Sequence, residues 1–189
     1  MAAVVASAVT GAVGVVGAVC AYAAGKAQAK GVVAGVRLQL DGQRTERLWE
    51  ADRQASASYL AILNSFRHQA AHAEALFGVP EDQVEVIAPG EDRNHALIKM
   101  TQLLSEAYLH ETLLKFHISD GAEVDLDPVR NAMGSLYFAV GGYCRERHAG
   151  RDGAQEETLT LECSDAFSRA VNAFAESEQR RFSKWPDGR

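Results

Sequence analysis

Ala2 to Gly25 is a run of twenty-four residues without a single charge, and Lys26 and Lys30 follow at once. At about 1.5 Å of rise per residue, an α-helix of that length spans roughly 36 Å, enough to cross a hydrocarbon core of about 30 Å. The run therefore predicts a transmembrane anchor over residues 1–25. It holds nine Ala, seven Val and four Gly with Ser7, Thr10, Cys20 and Tyr22, and no Leu, Ile or Phe. Each Leu or Ile at a helix centre favours insertion by about 0.3–0.6 kcal/mol. Insertion of this run is correspondingly weak, and its main advantage is that no charge has to enter the bilayer.

Three other readings compete. Ala21-Tyr22-Ala23 has the small-x-small form that a signal peptidase cuts, yet no Lys or Arg precedes the run and the run exceeds the usual apolar region of a secretory signal. A lipoprotein site at Cys20 is disfavoured by Val19, which stands where a small residue is wanted. A buried helix of a soluble protein is the last alternative.

Orientation follows from the charge step. Lys26, Lys30, Arg37, Arg44 and Arg47 all lie within about twenty residues of the anchor's end, and none precedes it, so the positive-inside rule puts the N-terminus outside and the rest in the cytoplasm, at the inner (plasma) membrane. Cys20, Cys144 and Cys163 are odd in number and widely spaced, with no disulfide framework, which agrees with a reducing compartment. Within the anchor, Ser7, Gly11, Gly14, Ala18, Ala21 and Gly25 alternate at spacings of four and three, a face on which two such helices can pack closely into a homo-oligomer. Sixteen of the twenty-four residues are Ala, Gly, Ser, Thr or Cys, so this register allows self-association without requiring it.

Residues 26–47 form a basic neck with five basic and two acidic groups, net +3, which leaves −9 of the chain's overall −6 to residues 48–189. Lys26, Lys30 and Arg37 are placed to meet anionic membrane lipid, at about 1 kcal/mol for each basic residue close to the surface. The acidic body lacks the broad basic face that nucleic-acid binding needs.

The body, residues 48–189, is patterned as helices. Ala55, Tyr59, Ile62, Phe66, Ala70, Ala73 and Phe77 recur every three or four residues along one stripe. No proline interrupts the chain before Pro80, so this helix reaches back toward the anchor. Gly31, Gly35 and Gly42 each cost about 1 kcal/mol relative to Ala and predict a bend or break. Gly78 to Gly90 reads as a connection in which Val84, Val86 and Ile87 either pack on the body or form a brief strand. A second helix is expected from Glu91 to Ile118, with acidic Glu91 and Asp92 at its dipole-favoured start and Leu97, Met100, Leu104, Ala107 and Leu114 inward. Gly121 ends that region. Asp127 as N-cap and Pro128 in the first turn open a third helix, with Val129, Met133, Leu136, Val140 and Tyr143 inward and an end near Gly150. After Arg151-Asp152-Gly153, a fourth carries Leu159, Cys163, Phe167, Ala170 and Phe174 inward to about Lys184, and Pro186 stops it. The fold class is all-α: an N-terminal transmembrane helix leading into a cytoplasmic four-helix bundle.

In layout the chain resembles uncharacterised single-pass membrane proteins of high-GC bacteria, in which an Ala/Gly/Val anchor leads directly into a basic helix and a helical cytoplasmic domain. The resemblance covers mainly residues 1 to 75, rests on pattern, and implies no activity.

Catalytic signatures are sparse. His68 and His72 stand four apart on one helix, and Glu106 and His110 on the next, a spacing that can present two ligands to one metal. Di-iron bundles need Glu-x-x-His on two helices, and neither that motif nor HExxH occurs. Surface or boundary residues are the favoured reading of all four, and the sequence implies no cofactor. Glu111 falls on an apolar stripe, where a lone carboxylate is costly, and predicts a partner such as Arg130 or Arg67 or a place at the boundary, with a catalytic role third. Gly141-Gly142 allows a kink or a close backbone approach; a ligand pocket there lacks any phosphate loop. No serine or cysteine sits in a motif that pairs it with a base. Arg180-Arg181-Phe182-Ser183-Lys184-Trp185 reads as a frayed helix end, with peptide docking or lipid contact as alternatives. The function expected is a membrane-anchored interaction or assembly module with an unknown protein partner. A membrane-permeabilising oligomer and a ligand-sensing or enzymatic bundle are the alternatives.

Overall fold

A computed structural model describes residues 2–80, 83–84, 92–117 and 124–184, with side chains from residue 31 onward. Four α-helices account for most of these residues: α1 (Ala2–Gly78), α2 (Arg93–His117), α3 (Asp127–His148) and α4 (Ala154–Ser183). No strand occurs among the described residues. The chain divides into two compact units, Met1–Trp49 and Glu50–Arg189.

The first unit is helix alone, and of the bend or break expected at Gly31, Gly35 and Gly42 the break does not occur, since α1 continues through all three. None of the three has a positive φ. Ala34, Arg37, Leu38, Gln39 and Leu40 between them are good helix formers, and their propensity outweighs the cost of three separated glycines. Residues 31–48 are all exposed. No helix among the described residues is long and apolar enough to cross a membrane. The side chains of residues 1–30, on which the anchor over 1–25 rests, lie outside them, as do those of Gly11, Gly14, Ala18, Ala21, Gly25, Lys26 and Lys30.

The second unit is a helical bundle whose neighbours run antiparallel. Gln69 donates to the Ala96 carbonyl at 3.0 Å and Arg93 to the Leu76 carbonyl at 3.1 Å, which pairs the end of α1 with the start of α2. Thr101 meets Tyr137 at 3.2 Å while Glu111 meets Arg130, so α2 and α3 are also opposed. Between α1 and α4, Tyr59 packs edge-on to Phe174 (5.5 Å, 77°) and Phe66 edge-on to Phe167 (5.7 Å, 76°). Each such pair contributes about 0.5–1.5 kcal/mol beyond its buried area. Leu63, Met100, Leu114, Met133, Leu136 and Val140 complete a single core.

The expected stripes hold on α1, α2 and α3, with Leu97 and Leu104 half-buried at the margin. On α4 the register is corrected at the N-terminal end. Leu159 is 49% exposed and Leu161 58%, while Thr160 between them is fully buried. Its hydroxyl donates back to the Glu156 carbonyl at 2.8 Å, so the side chain presents its methyl to the core. Val84, in a helical turn closed by Gln83 N–H on the Pro80 carbonyl, packs into the core rather than into a strand; Val86 and Ile87 lie outside the described residues.

Caps explain the boundaries. The Asp92 carboxylate accepts from Asn94 N–H at 2.9 Å and opens α2. The N-cap of α3 is Leu126 rather than Asp127, because the Asp125 carboxylate accepts from Asp127 N–H at 3.0 Å and Asp127's own side chain turns to Arg130. At its far end, Arg151 N–H bonds the Glu146 carbonyl and Gly150 N–H the Arg147 carbonyl, a Schellman motif with Gly150 at φ 73°. Gly153, at φ 68°, is needed for space as well: a Cβ there would meet Arg147 Cδ at 3.2 Å and the Tyr143 ring at 3.5 Å. Gly141 and Gly142 receive no close backbone. A Cβ on Gly141 would have no neighbour within 4 Å, and one on Gly142 only the Glu156 side chain at 3.9 Å, while α3 runs on through both.

The C-terminus of α1 is held by two arginines. The last carbonyls of a helix lack intrahelical donors. Arg93 supplies them to Leu76 and Val79, with its guanidinium 5.2 Å from the centre of the Phe77 ring. Arg147 supplies them to Phe77 at 3.2 Å and Gly78 at 2.9 Å, and also reaches the Asp152 carbonyl at 3.1 Å. Two cations at the negative end of a helix dipole are stabilising for the same electrostatic reason.

Candidate functional site

Two groups of polar side chains interrupt the apolar core, both at the end of the bundle opposite the arginine cap. The first centres on Glu111 of α2, 3% exposed. Its Oε1 receives Lys115 Nζ at 2.6 Å from one turn on and Arg130 Nη1 at 3.2 Å from α3. Arg130 is the partner that the sequence pointed to; Lys115 was missed, although its i,i+4 spacing from Glu111 was readable. Oε2 of Glu111 and the hydroxyl of fully buried Tyr59 have no hydrogen-bond partner among the described residues. Burial pushes the Tyr59 phenol well above its ordinary range, and the Glu111 charge pushes it in the same direction.

Beside this group a groove of about 270 Å³ runs between α1 and α2, lined by Ala51, Gln54, Ala55, Ser58, His110 and Leu113. The walls are apolar, and Gln54, Ser58 and His110 supply polar atoms without a cluster of charge.

The second group joins α1 to α4. Buried Ser56 donates its hydroxyl to Glu178, whose carboxylate also takes Arg181 at 2.6 Å, and Arg181 reaches Asp52 at 3.2 Å. Asp52 is 4% exposed and Glu178 3%. The guanidinium lies 4.5 Å from the centre of the Phe182 ring. Arg181 was expected at a frayed helix end; the structure instead seats it between two buried carboxylates. The readable signal was on α1, where Asp52 and Ser56 extend the stripe of Tyr59, Leu63 and Phe66 by one heptad.

Neither group has the form of a catalytic centre. Ser56 is 2% exposed, so its hydroxyl is out of a substrate's reach despite the adjacent carboxylate. The buried Cys144 thiol is pushed up to about 12 by desolvation and then by the Glu74 charge, so at neutral pH it stays protonated and is a poor nucleophile. His68 and Glu106 are exposed, and His72 and His110 are half-buried. Among the described residues no three His, Cys, Asp or Glu side chains gather as a metal site. Each group has a cation from the carboxylate's own helix, Lys115 for Glu111 and Arg181 for Glu178, and each also ties two helices together, through Arg130 to Glu111 and through Ser56 and Asp52 to Glu178 and Arg181.

Compared with protein-family models, with curated proteins and with solved structures, the chain matches none.

Proposed function

We propose that this is a single-pass membrane protein whose helical body serves as an interaction or assembly module on the cytoplasmic side. The observation that carries the reading is the charge-free run Ala2 to Gly25 followed directly by Lys26, Lys30, Arg37, Arg44 and Arg47. Helix over the whole run agrees with it, since a helix satisfies its backbone polar groups internally, as hydrocarbon demands. Lys26, Lys30 and Arg37 then lie where anionic lipid head groups begin.

An interaction role for the body is supported by its exposed apolar residues. Ile98, Leu109 and Phe116 lie within about 20° of one another around α2 and Leu113 somewhat further, at about 100° of turn per residue. They are 55%, 58%, 82% and 42% exposed. Leu113 also borders the α1–α2 groove. A protein partner that covers this face, and a second copy of the chain, are both in keeping with the reading.

The test is fractionation of cells that express a C-terminally tagged chain, with an alkaline wash and protease digestion of spheroplasts. The tag is expected to remain in washed membranes and to resist external protease. A tag released by the wash, or digested from outside, overturns the reading.

A further inference from the structure

We infer that two copies of this chain pair through α2, with Phe116 of each seated in the other's α1–α2 groove and the two α2 helices parallel. Phe116 is the most exposed large apolar side chain among the described residues, and it follows Leu113, which borders the groove, by one turn of α2. At about 100° per residue the two point about 60° apart, so an exposed aromatic ring and an apolar-walled groove stand side by side at nearly one height of the helix. The groove holds about 270 Å³. About 150 Å³ is room enough for a benzene-sized ring.

Charge and geometry identify the occupant. From Glu106 round to Lys115, about 180° of α2 carries no Asp, Glu, Lys or Arg, and none lines the groove. An acidic or a basic partner finds no counter-charge on this face, whereas a second copy brings neutral surface to neutral surface. The copy also supplies the ring that the groove can take and the groove that covers the ring. A two-fold axis along α2 brings the ring side of each helix against the groove side of the other at the same height, so both exchanges are made at once. An axis across α2 would set ring side against ring side and groove against groove, which excludes the antiparallel pair. Ile98 and Leu109, on the same side of α2 as Phe116, then meet their own counterparts along the seam.

The inference rests on the anchored interaction reading above, since two chains held in one membrane run in the same direction and meet at high local concentration. The test is disulfide linkage at Leu109→Cys in the full chain in membranes, in a Cys20→Ala, Cys163→Ala background that retains buried Cys144. Mild oxidation should yield a linked dimer there and none at Glu162→Cys, an exposed position of α4. Phe116→Ser removes the ring and Ser58→Trp fills the groove, and each should lower the linked fraction about tenfold or more. Co-expressed under different tags, the two variants should link to each other far better than either links to itself, because one ring then meets one open groove. Linkage that survives both substitutions, or a mixed pair no better than the single variants, overturns the proposal. Absence of linkage at Leu109→Cys overturns it too and marks lipid or another protein as the cover. An alkaline wash of the same membranes separates the two readings. Release of chains that remain linked sinks the anchor alone, and retention of chains that never link sinks the pairing alone.

Discussion

Tyr59→Phe is expected to stabilise the protein. The ring of Tyr59 is fully buried and edge-on to Phe174, and phenylalanine keeps both of those contacts. The hydroxyl is buried with no hydrogen-bond partner among the described residues. Burying a polar group without a partner costs about 1–3 kcal/mol, and replacing it by an apolar group of the same shape removes that cost. The small void left by one oxygen offsets part of the gain, which leaves about 1–2 kcal/mol. With a urea slope of about 1–3 kcal/mol per molar, the midpoint should rise by roughly 0.5–1 M, read by far-ultraviolet circular dichroism on the full chain in mild detergent. Alkali supplies a second readout. The buried phenol's affinity for its proton is raised, so the stability tied to that proton is complete below the unfolded tyrosine's value near 10 and is lost as pH climbs above it. Phenylalanine has no such loss, and the gap between variant and wild type should widen above about pH 10. A midpoint that falls by 0.5 M or more (about 1 kcal/mol) would refute the reasoning and show that the hydroxyl has a bonded partner, such as an internal water.

Other perturbations probe the remaining features. Arg181→Met leaves Asp52 and Glu178 buried without their cation and should cost about 3–5 kcal/mol by denaturant titration; a loss under 1 kcal/mol would mean that water already reaches the pair. Arg147→Ala removes the donors to Phe77, Gly78 and Asp152 and should cost about 1–3 kcal/mol although the side chain is only half-buried. Leu159→Gln should change stability by less than about 0.5 kcal/mol. Thr160→Gln, one residue on, should cost about 2 kcal/mol or more, and the reverse order would restore the register read from the sequence. The thiol of Cys144, raised from 9.0 to about 12, contributes stability that is intact below 9.0 and declines as pH rises toward 12. Cys144→Ala should flatten that part of the alkaline profile at some cost at neutral pH.

Much of the body was legible because proline and glycine mark its joints: Pro80 follows α1, Pro128 opens α3, and Gly150 and Gly153 bracket the turn into α4. Glu111 was legible in part, since a carboxylate on an apolar stripe demands a cation: Arg130, one of the two arginines the pattern offered, meets it, and Lys115 of its own helix does so more closely. Thr160 was not, because a threonine is apolar only after its hydroxyl has bonded the carbonyl four residues back, and hydropathy counts it as polar. The capping roles of Arg93 and Arg147 were invisible for another reason. Each serves a helix end 14 to 70 residues away in sequence, and which end it serves depends on the packing of three helices. Arg181 was misread because composition near a C-terminus suggests fraying, whereas the two acids it joins lie on separate helices.

The arginine cap alters where the bundle can begin to open. Helices ordinarily fray from their ends, where the last turn exchanges its amide hydrogens almost freely. At Gly78 that route is hindered, because release of the final carbonyls breaks their bonds to the guanidinium groups of Arg93 on α2 and Arg147 on α3. Amides in the last turn of α1 should therefore exchange with deuterium more slowly than those of an uncapped helix end, and Arg147→Ala should speed them. The boundary of the helix then reports on the packing of α2 and α3 as well as on α1 itself.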